Sequence, residues 1–61
     1  MDKNELERLV KAEQCAALLI SDLREIMTRT DNVPLEEIMV EAIDQVAKLH
    51  RRLKRFAEKQ G

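Results

Sequence analysis

The chain has 61 residues, of which 38% are charged and only one, Phe56, is aromatic. Its 12 acidic and 11 basic side chains leave a formal net charge of −1, which excludes a long-range attraction of the whole chain to polyanions. A chain this short forms one domain at most, and its single cysteine, Cys15, excludes a disulfide framework.

The first predicted element is a helix over residues 4–29. Its start is consistent with either of two capping boxes, Asn4 with Glu7 or Asp2 with Glu5. Apolar residues recur along it at alternating spacings of three and four, which is typical of a helix with one continuous apolar face. This first apolar track consists of Leu9, Ala12, Ala16, Leu19, Leu23 and Ile26.

A short loop over residues 30–33 is predicted next. Asn32 is expected to take the left-handed conformation there, because no glycine is available to end the first helix. Pro34 suits the first turn of a second helix, and its ring disfavours the helical conformation at Val33.

The second predicted helix covers residues 34–59 and carries an apolar track with the same spacing. Two such tracks joined by a short loop predict an all-α fold, an antiparallel two-helix hairpin in a single domain over residues 1–61. The second track consists of Leu35, Met39, Ala42, Val46, Leu49, Leu53 and Phe56.

A further apolar flank lies beside the two tracks and pairs Glu13 with His50 and Ile20 with Ile43. Because so small a hairpin has little core of its own, we expect a two-fold dimer to cover this flank and form a four-helix bundle. Glu13 and His50 are interpreted either as a polar clamp that fixes the register or as a solvated pair at the rim. The residues assigned to the dimer interface are Leu6, Glu13, Ile20, Met27, Ile43 and His50.

In outline the chain resembles repressor of primer, a plasmid copy-number regulator. The resemblance covers both helices, the alanines at positions 12, 16 and 42, and the closing stretch of residues 49–56. It implies a homodimeric four-helix bundle that binds paired RNA loops through the outer face of its first helices. The comparable face here carries Lys3, Val10, Gln14, Ala17 and Arg24.

Catalytic, cofactor and metal chemistry are not expected from this sequence. The only cysteine and the only histidine, Cys15 and His50, are predicted on opposite flanks of the hairpin, which argues against a nucleophile–base pair. No glutamate stands three residues before His50, as a di-iron carboxylate bundle would require. We therefore expect a non-enzymatic protein without a cofactor.

Five cations of the second helix are candidate partner-binding residues, because helical geometry places them opposite the apolar track. They are interpreted as a solvated helix end that complements the helix dipole, as a phosphate-contacting surface, or as a surface for an acidic protein. The preferred function is a homodimeric adaptor or regulator that binds another protein. The alternative is an RNA-binding regulator of the repressor-of-primer type. The five cations are Lys48, Arg51, Arg52, Arg55 and Lys59.

The longest apolar run, residues 15–20, is far shorter than a membrane span. No basic segment followed by an apolar segment indicates a leader peptide. The sequence therefore favours a cytoplasmic location, with no membrane partner and with Cys15 reduced.

Overall fold

The computed structural model describes residues 1–60 and consists of two helices, α1 (Lys3–Arg29) and α2 (Val33–Gln60). The helices pack against each other along their length, and the single chain measures 45 × 14 × 12 Å. The predicted all-α hairpin is therefore confirmed. Its helix bounds differ from the predicted ones by one residue at three of the four ends. Residue 61, which belongs to the predicted domain, lies outside the described residues.

The start of α1 is set by Asp2, the second of the two predicted capping residues. The Asp2 carboxylate accepts a hydrogen bond of 2.8 Å from the backbone N–H of Glu5, and the Asp2 carbonyl accepts one of 3.1 Å from Leu6. The first bond satisfies an N–H group that has no partner within the helix, and the second is the first bond of the helical ladder. Asn4, the other candidate, lies inside the first turn of α1.

The loop between the helices differs from its prediction at Asn32 and Val33. No residue from 1 to 60 other than glycine has a positive φ, so the left-handed conformation predicted for Asn32 is wrong. The Asn32 side-chain oxygen instead accepts a hydrogen bond of 3.1 Å from Leu35 N–H, and its carbonyl accepts one of 2.9 Å from Glu36 N–H. These two bonds close the first turn of α2 around Val33, which is helical in spite of the following proline.

Partly buried side chains mark the contact between the two helices, here called the hairpin seam. Their spacing alternates mainly between three and four residues, as expected for two helices that pack in coiled-coil fashion. Ala16, at the middle of α1, is the only buried residue of the described range. On α1 the seam consists of Leu6, Leu9, Glu13, Ala16, Ile20, Leu23 and Met27, and on α2 of Leu35, Met39, Ile43, Val46, His50, Leu53 and Ala57, with the partly buried Ala42 and Ala47 beside them.

The hairpin seam on α1 therefore contains only half of the predicted first track. Leu9, Ala16 and Leu23 of the first track lie in the seam, but Leu19 and Ile26 are exposed. The other half of the seam on α1 comes from the predicted flank, which carries Glu13 among its apolar residues. Glu13 and His50 hydrogen-bond to each other across the seam, so that two polar side chains are accommodated there.

Candidate functional site

The most extended exposed apolar feature is a row of side chains along one side of the hairpin, here called the apolar stripe. Leu19 and Ile26 of α1 are 46% and 44% exposed, and Leu49 and Phe56 of α2 are 52% and 48% exposed. Ala12, also exposed, continues the row on α1. A single exposed leucine is ordinary, whereas a continuous row of large apolar side chains marks an interaction surface.

The five stripe residues share one side of the hairpin because each precedes a seam residue by one position. Leu19 stands before Ile20, and Leu49 stands before His50. In two antiparallel helices, positions displaced in the same direction from the seam lie on the same side of the pair. The stripe is therefore one surface shared by both helices, and it runs along most of the 45 Å length.

The six residues predicted for a dimer interface all lie in the hairpin seam. Each is partly buried within a single chain. Their role between chains stays a prediction, but most of their contact surface is already used inside the hairpin. The set is Leu6, Glu13, Ile20, Met27, Ile43 and His50.

Glu13 and His50 form the one polar contact between the helices that the structure describes. His50 Nε2 lies 2.6 Å from Glu13 Oε1, and the two side chains are only 21% and 19% exposed. The predicted pairing of these two residues is confirmed. Because they sit one on each helix, their hydrogen bond links α1 and α2 at a single relative height, which favours the interpretation as a register clamp.

The five candidate partner-binding residues lie on the outer surface of α2, and all are exposed. Lys48 forms an exposed ion pair with Asp44, with 3.0 Å between Lys48 Nζ and Asp44 Oδ2. In the described range, Arg51, Arg52 and Arg55 have no ion-pair partner, and together with Lys48 they line a surface groove of about 230 Å³. Three guanidinium groups here are free to bind an anionic group. Lys48, Arg51, Arg52, Arg55 and Lys59 are together called the basic cluster.

Charge is unevenly distributed along the hairpin. The half that holds the chain termini, residues 1–17 and 46–60, carries nine lysine and arginine residues and five acidic residues. The half that holds the loop, residues 18–45, carries two arginine residues and seven acidic residues. The terminal half is therefore positive and the loop half is negative, although the whole chain is nearly neutral.

Sites for other chemistry are not found in the described part of the chain. No group of three or more His, Cys, Asp and Glu side chains in residues 1–60 is arranged to hold a metal ion. Cys15 is exposed on α1, whereas His50 faces Glu13 in the seam. Neither helix combines the length and the apolar character needed to cross a bilayer.

Comparison with known protein families, with curated proteins and with solved structures finds no match for this chain. The two surfaces are therefore the features that indicate a function. The basic cluster is visible in the sequence as a run of cations at helical spacing. The apolar stripe is not, because its residues belong to a track that sequence periodicity places between the helices.

Proposed function

We propose that the protein is a small non-enzymatic homodimer, a four-helix bundle that acts as an adaptor or regulator by binding another protein. The observation that supports dimerisation is the apolar stripe. The observation that supports a protein partner is the basic cluster. In this proposal the stripe holds the two chains together, and the basic cluster binds the partner protein.

Dimerisation is supported by how little the single hairpin buries. Among residues 1–60 only Ala16 is buried, while four large apolar side chains of the stripe stay about half exposed. A domain of this size without a disulfide or a structural metal gains most by covering such a surface with a second chain. Two hairpins joined in this way make the predicted four-helix bundle.

An acidic protein partner is supported by the free guanidinium groups of Arg51, Arg52 and Arg55. Arginine forms bidentate hydrogen bonds with carboxylates, which gives such a contact direction as well as charge. The near-neutral net charge of the chain supplies no general attraction to nucleic acid. A local cluster on a neutral protein suits a partner that presents a local group of carboxylates.

Assembly is tested by sedimentation of the wild-type chain over a range of concentrations. We expect a dimer, and we expect Leu49→Glu to produce monomers because it places a charge in the covered stripe. Leu18→Glu is the matched control, since Leu18 lies outside the stripe and is 66% exposed. A wild-type monomer at every concentration, or a Leu49→Glu dimer as tight as wild type, contradicts the proposal.

Partner binding is tested by affinity capture from nuclease-treated extracts of the source cells. We expect a specific protein to be retained by wild type and lost when Arg51, Arg52 and Arg55 are all changed to Gln. The matched control changes Lys3, Arg8 and Lys11 of α1 to Gln, which removes the same charge from the other helix. Purification of the captured protein and direct titration must then reproduce the difference. Equal retention by both triple variants argues against the basic cluster.

The alternative function is an RNA-binding regulator, and the same unpaired arginines favour it. Each phosphate that the cluster neutralises would release counterions, so binding would weaken steeply with salt, with a slope of about −0.7 to −0.9 per contact. Titration with single-stranded and hairpin RNA at several salt concentrations tests this alternative. A tight, saturable complex that is lost in the triple arginine variant would replace the adaptor proposal with this one.

A further inference from the structure

The outward face of α2, away from α1 and from the apolar stripe, carries a line of charged side chains, here called the outer row. Its positions are separated by 4, 3, 4, 4, 3 and 4 residues, which places them along one side of the helix, and all of them are exposed. The members are Glu37, Glu41, Asp44, Lys48, Arg52, Arg55 and Lys59. The row is therefore negative in the half of α2 near the loop and positive in the other half.

We propose that the outer row binds the outer row of a second copy that is turned end for end, in a contact separate from the apolar stripe. The spacings read the same in both directions from Lys48, so each acid of one row stands at the height of a cation of the other. Two-fold symmetry then forms each pair twice. The proposed pairs are Glu37 with Lys59, Glu41 with Arg55 and Asp44 with Arg52.

The side chains of the outer row are available for such a contact. In the described range, Glu37, Glu41, Arg52 and Arg55 form no ion pair within the chain. The two copies of Lys48 meet at the two-fold axis, where like charges oppose association. Each is neutralised in its own chain by the Asp44 carboxylate, whose Oδ2 lies 3.0 Å from Lys48 Nζ. The other oxygen of that carboxylate is left to accept from an arginine of the second copy.

The sign pattern of the row favours α2 over α1 and a second copy over other partners. The outward charges of α1 alternate in sign, since Glu7 stands one turn before Lys11 and Glu25 forms an ion pair of 3.0 Å with Arg29. Neighbouring opposite charges cancel at a distance, whereas successive like charges reinforce each other. A partner for the whole outer row needs cations and acids at matching spacings in the reverse order, and a second copy supplies both.

The contact goes beyond the proposed function and is independent of the stripe. It uses cations of the basic cluster, so a second copy and an acidic partner protein would exclude each other at this surface. Exposed ion pairs are individually weak and are screened by salt, whereas an apolar contact is not screened in this way. Association through the outer row is therefore expected only at low salt and high protein concentration, and any dimer formed through the stripe should persist at high salt.

Sedimentation equilibrium at two salt concentrations separates the two contacts. Between about 0.01 M and about 1 M NaCl the screening length falls from about 30 Å to about 3 Å, so we expect the association constant for the outer-row contact to fall at least about tenfold. The species that remains at high salt reports on the stripe alone. A distribution of species that is the same at both salt concentrations would overturn the inference and leave the proposed homodimer unaffected.

Charge reversal with rescue tests the pairing. Changing Arg52, Arg55 and Lys59 to Glu should remove the low-salt association, because both halves of the row become negative. Changing Glu37, Glu41 and Asp44 to Lys in the same chain should restore it, since the combined variant has the wild-type net charge and a reversed outer row. The matched control changes Lys3, Arg8 and Lys11 of α1 to Glu and alters the net charge by the same amount. Equal loss in that control, or no recovery in the combined variant, would contradict the pairing.

Disulfide formation at a single cysteine locates the axis of the contact. In a Cys15→Ala background, Lys48→Cys places a thiol at the centre of the row and removes none of the proposed pairs between chains. With oxidised glutathione as the oxidant, we expect linked chains to form at least about tenfold faster at low salt than at high salt. Leu18→Cys, on the outward face of α1, is the control because Leu18 is 66% exposed. Equal rates and equal salt dependence at positions 18 and 48 would overturn the inference.

Discussion

Leu19 and Ile20 are neighbours in the chain and nearly equal in size, yet they belong to different regions of the molecule. Ile20 packs in the hairpin seam, whereas Leu19 leaves 46% of its surface exposed on the apolar stripe. The seam is stabilised by contacts that form as the chain folds. The stripe gains stability only when another surface covers it. The difference separates what holds one hairpin together from what is available to bind a second molecule.

Alanine substitutions at three consecutive positions sharpen this comparison. Ile20→Ala removes contacts in the seam, and we expect it to lower the free energy of unfolding by about 2 kcal/mol, the low end for an aliphatic side chain that is only partly buried. Leu19→Ala should cost about 1 kcal/mol if a second chain covers the stripe. Leu18→Ala, on the outer surface, should stay within about 0.5 kcal/mol of wild type.

Urea denaturation at a fixed protein concentration measures all three variants. The informative comparison is Leu19→Ala with Leu18→Ala, because both leucines are exposed in the single hairpin. Equal effects of these two variants would show that the stripe stays uncovered. An effect of Ile20→Ala as small as that of Leu18→Ala would contradict the location of Ile20 in the seam.

The Glu13–His50 pair breaks the rule that the seam is apolar, and a double-mutant cycle measures what it contributes. Replacing either residue alone with Ala leaves the other polar side chain partly buried without its partner, so each single change should cost about 1 kcal/mol. The double change should cost less than the sum of the two, with a coupling of about 1 kcal/mol.

The exposed pair of Lys48 and Asp44 is the control for this cycle. These two side chains lie 3.0 Å apart, a distance similar to the one between Glu13 and His50, but both are 63% exposed. Their coupling should be no more than about 0.5 kcal/mol because solvent screens the charges. A Glu13–His50 coupling as small as this would favour the interpretation as a solvated rim pair.

The sequence predicts the helices and the turn well because each depends on neighbouring residues. Alternating spacings of three and four identify the helical apolar faces, and Pro34 with Glu36 marks the start of α2. The face that the helices share is a different problem, since Leu9, Ala16 and Leu23 fit two alternative seams. Apolar content favours the one with Leu19 and Ile26, but the helices adopt the one with Glu13.

The hydrogen bond that accommodates two polar side chains in the seam is not a local property. Glu13 and His50 are 37 positions apart in the sequence, and only the folded hairpin brings them to 2.6 Å. A polar residue on an amphipathic helix is by default assigned to solvent. The stripe and the seam are therefore mispredicted for the same reason. The positions that include Glu13 take the place in the seam that was predicted for Leu19 and Ile26, which are left on the stripe.

The smallest diagnostic change is that of Asn32→Gly, at the residue where the local prediction failed. As the cap of α2, Asn32 accepts a hydrogen bond from Leu35 N–H, so Asn32→Ala should lower the free energy of unfolding by about 1 kcal/mol.

Asn32→Gly discriminates between the two conformations. If Asn32 were left-handed, glycine at this position would stabilise the protein. If Asn32 caps α2, glycine should lower the free energy of unfolding by only about a few tenths of a kcal/mol. Asp31→Ala is the neighbouring control and should stay within about 0.5 kcal/mol of wild type. Thermal or urea unfolding followed by helix content measures the sign, and a gain in stability from glycine would show that Asn32 ends α1 and does not begin α2.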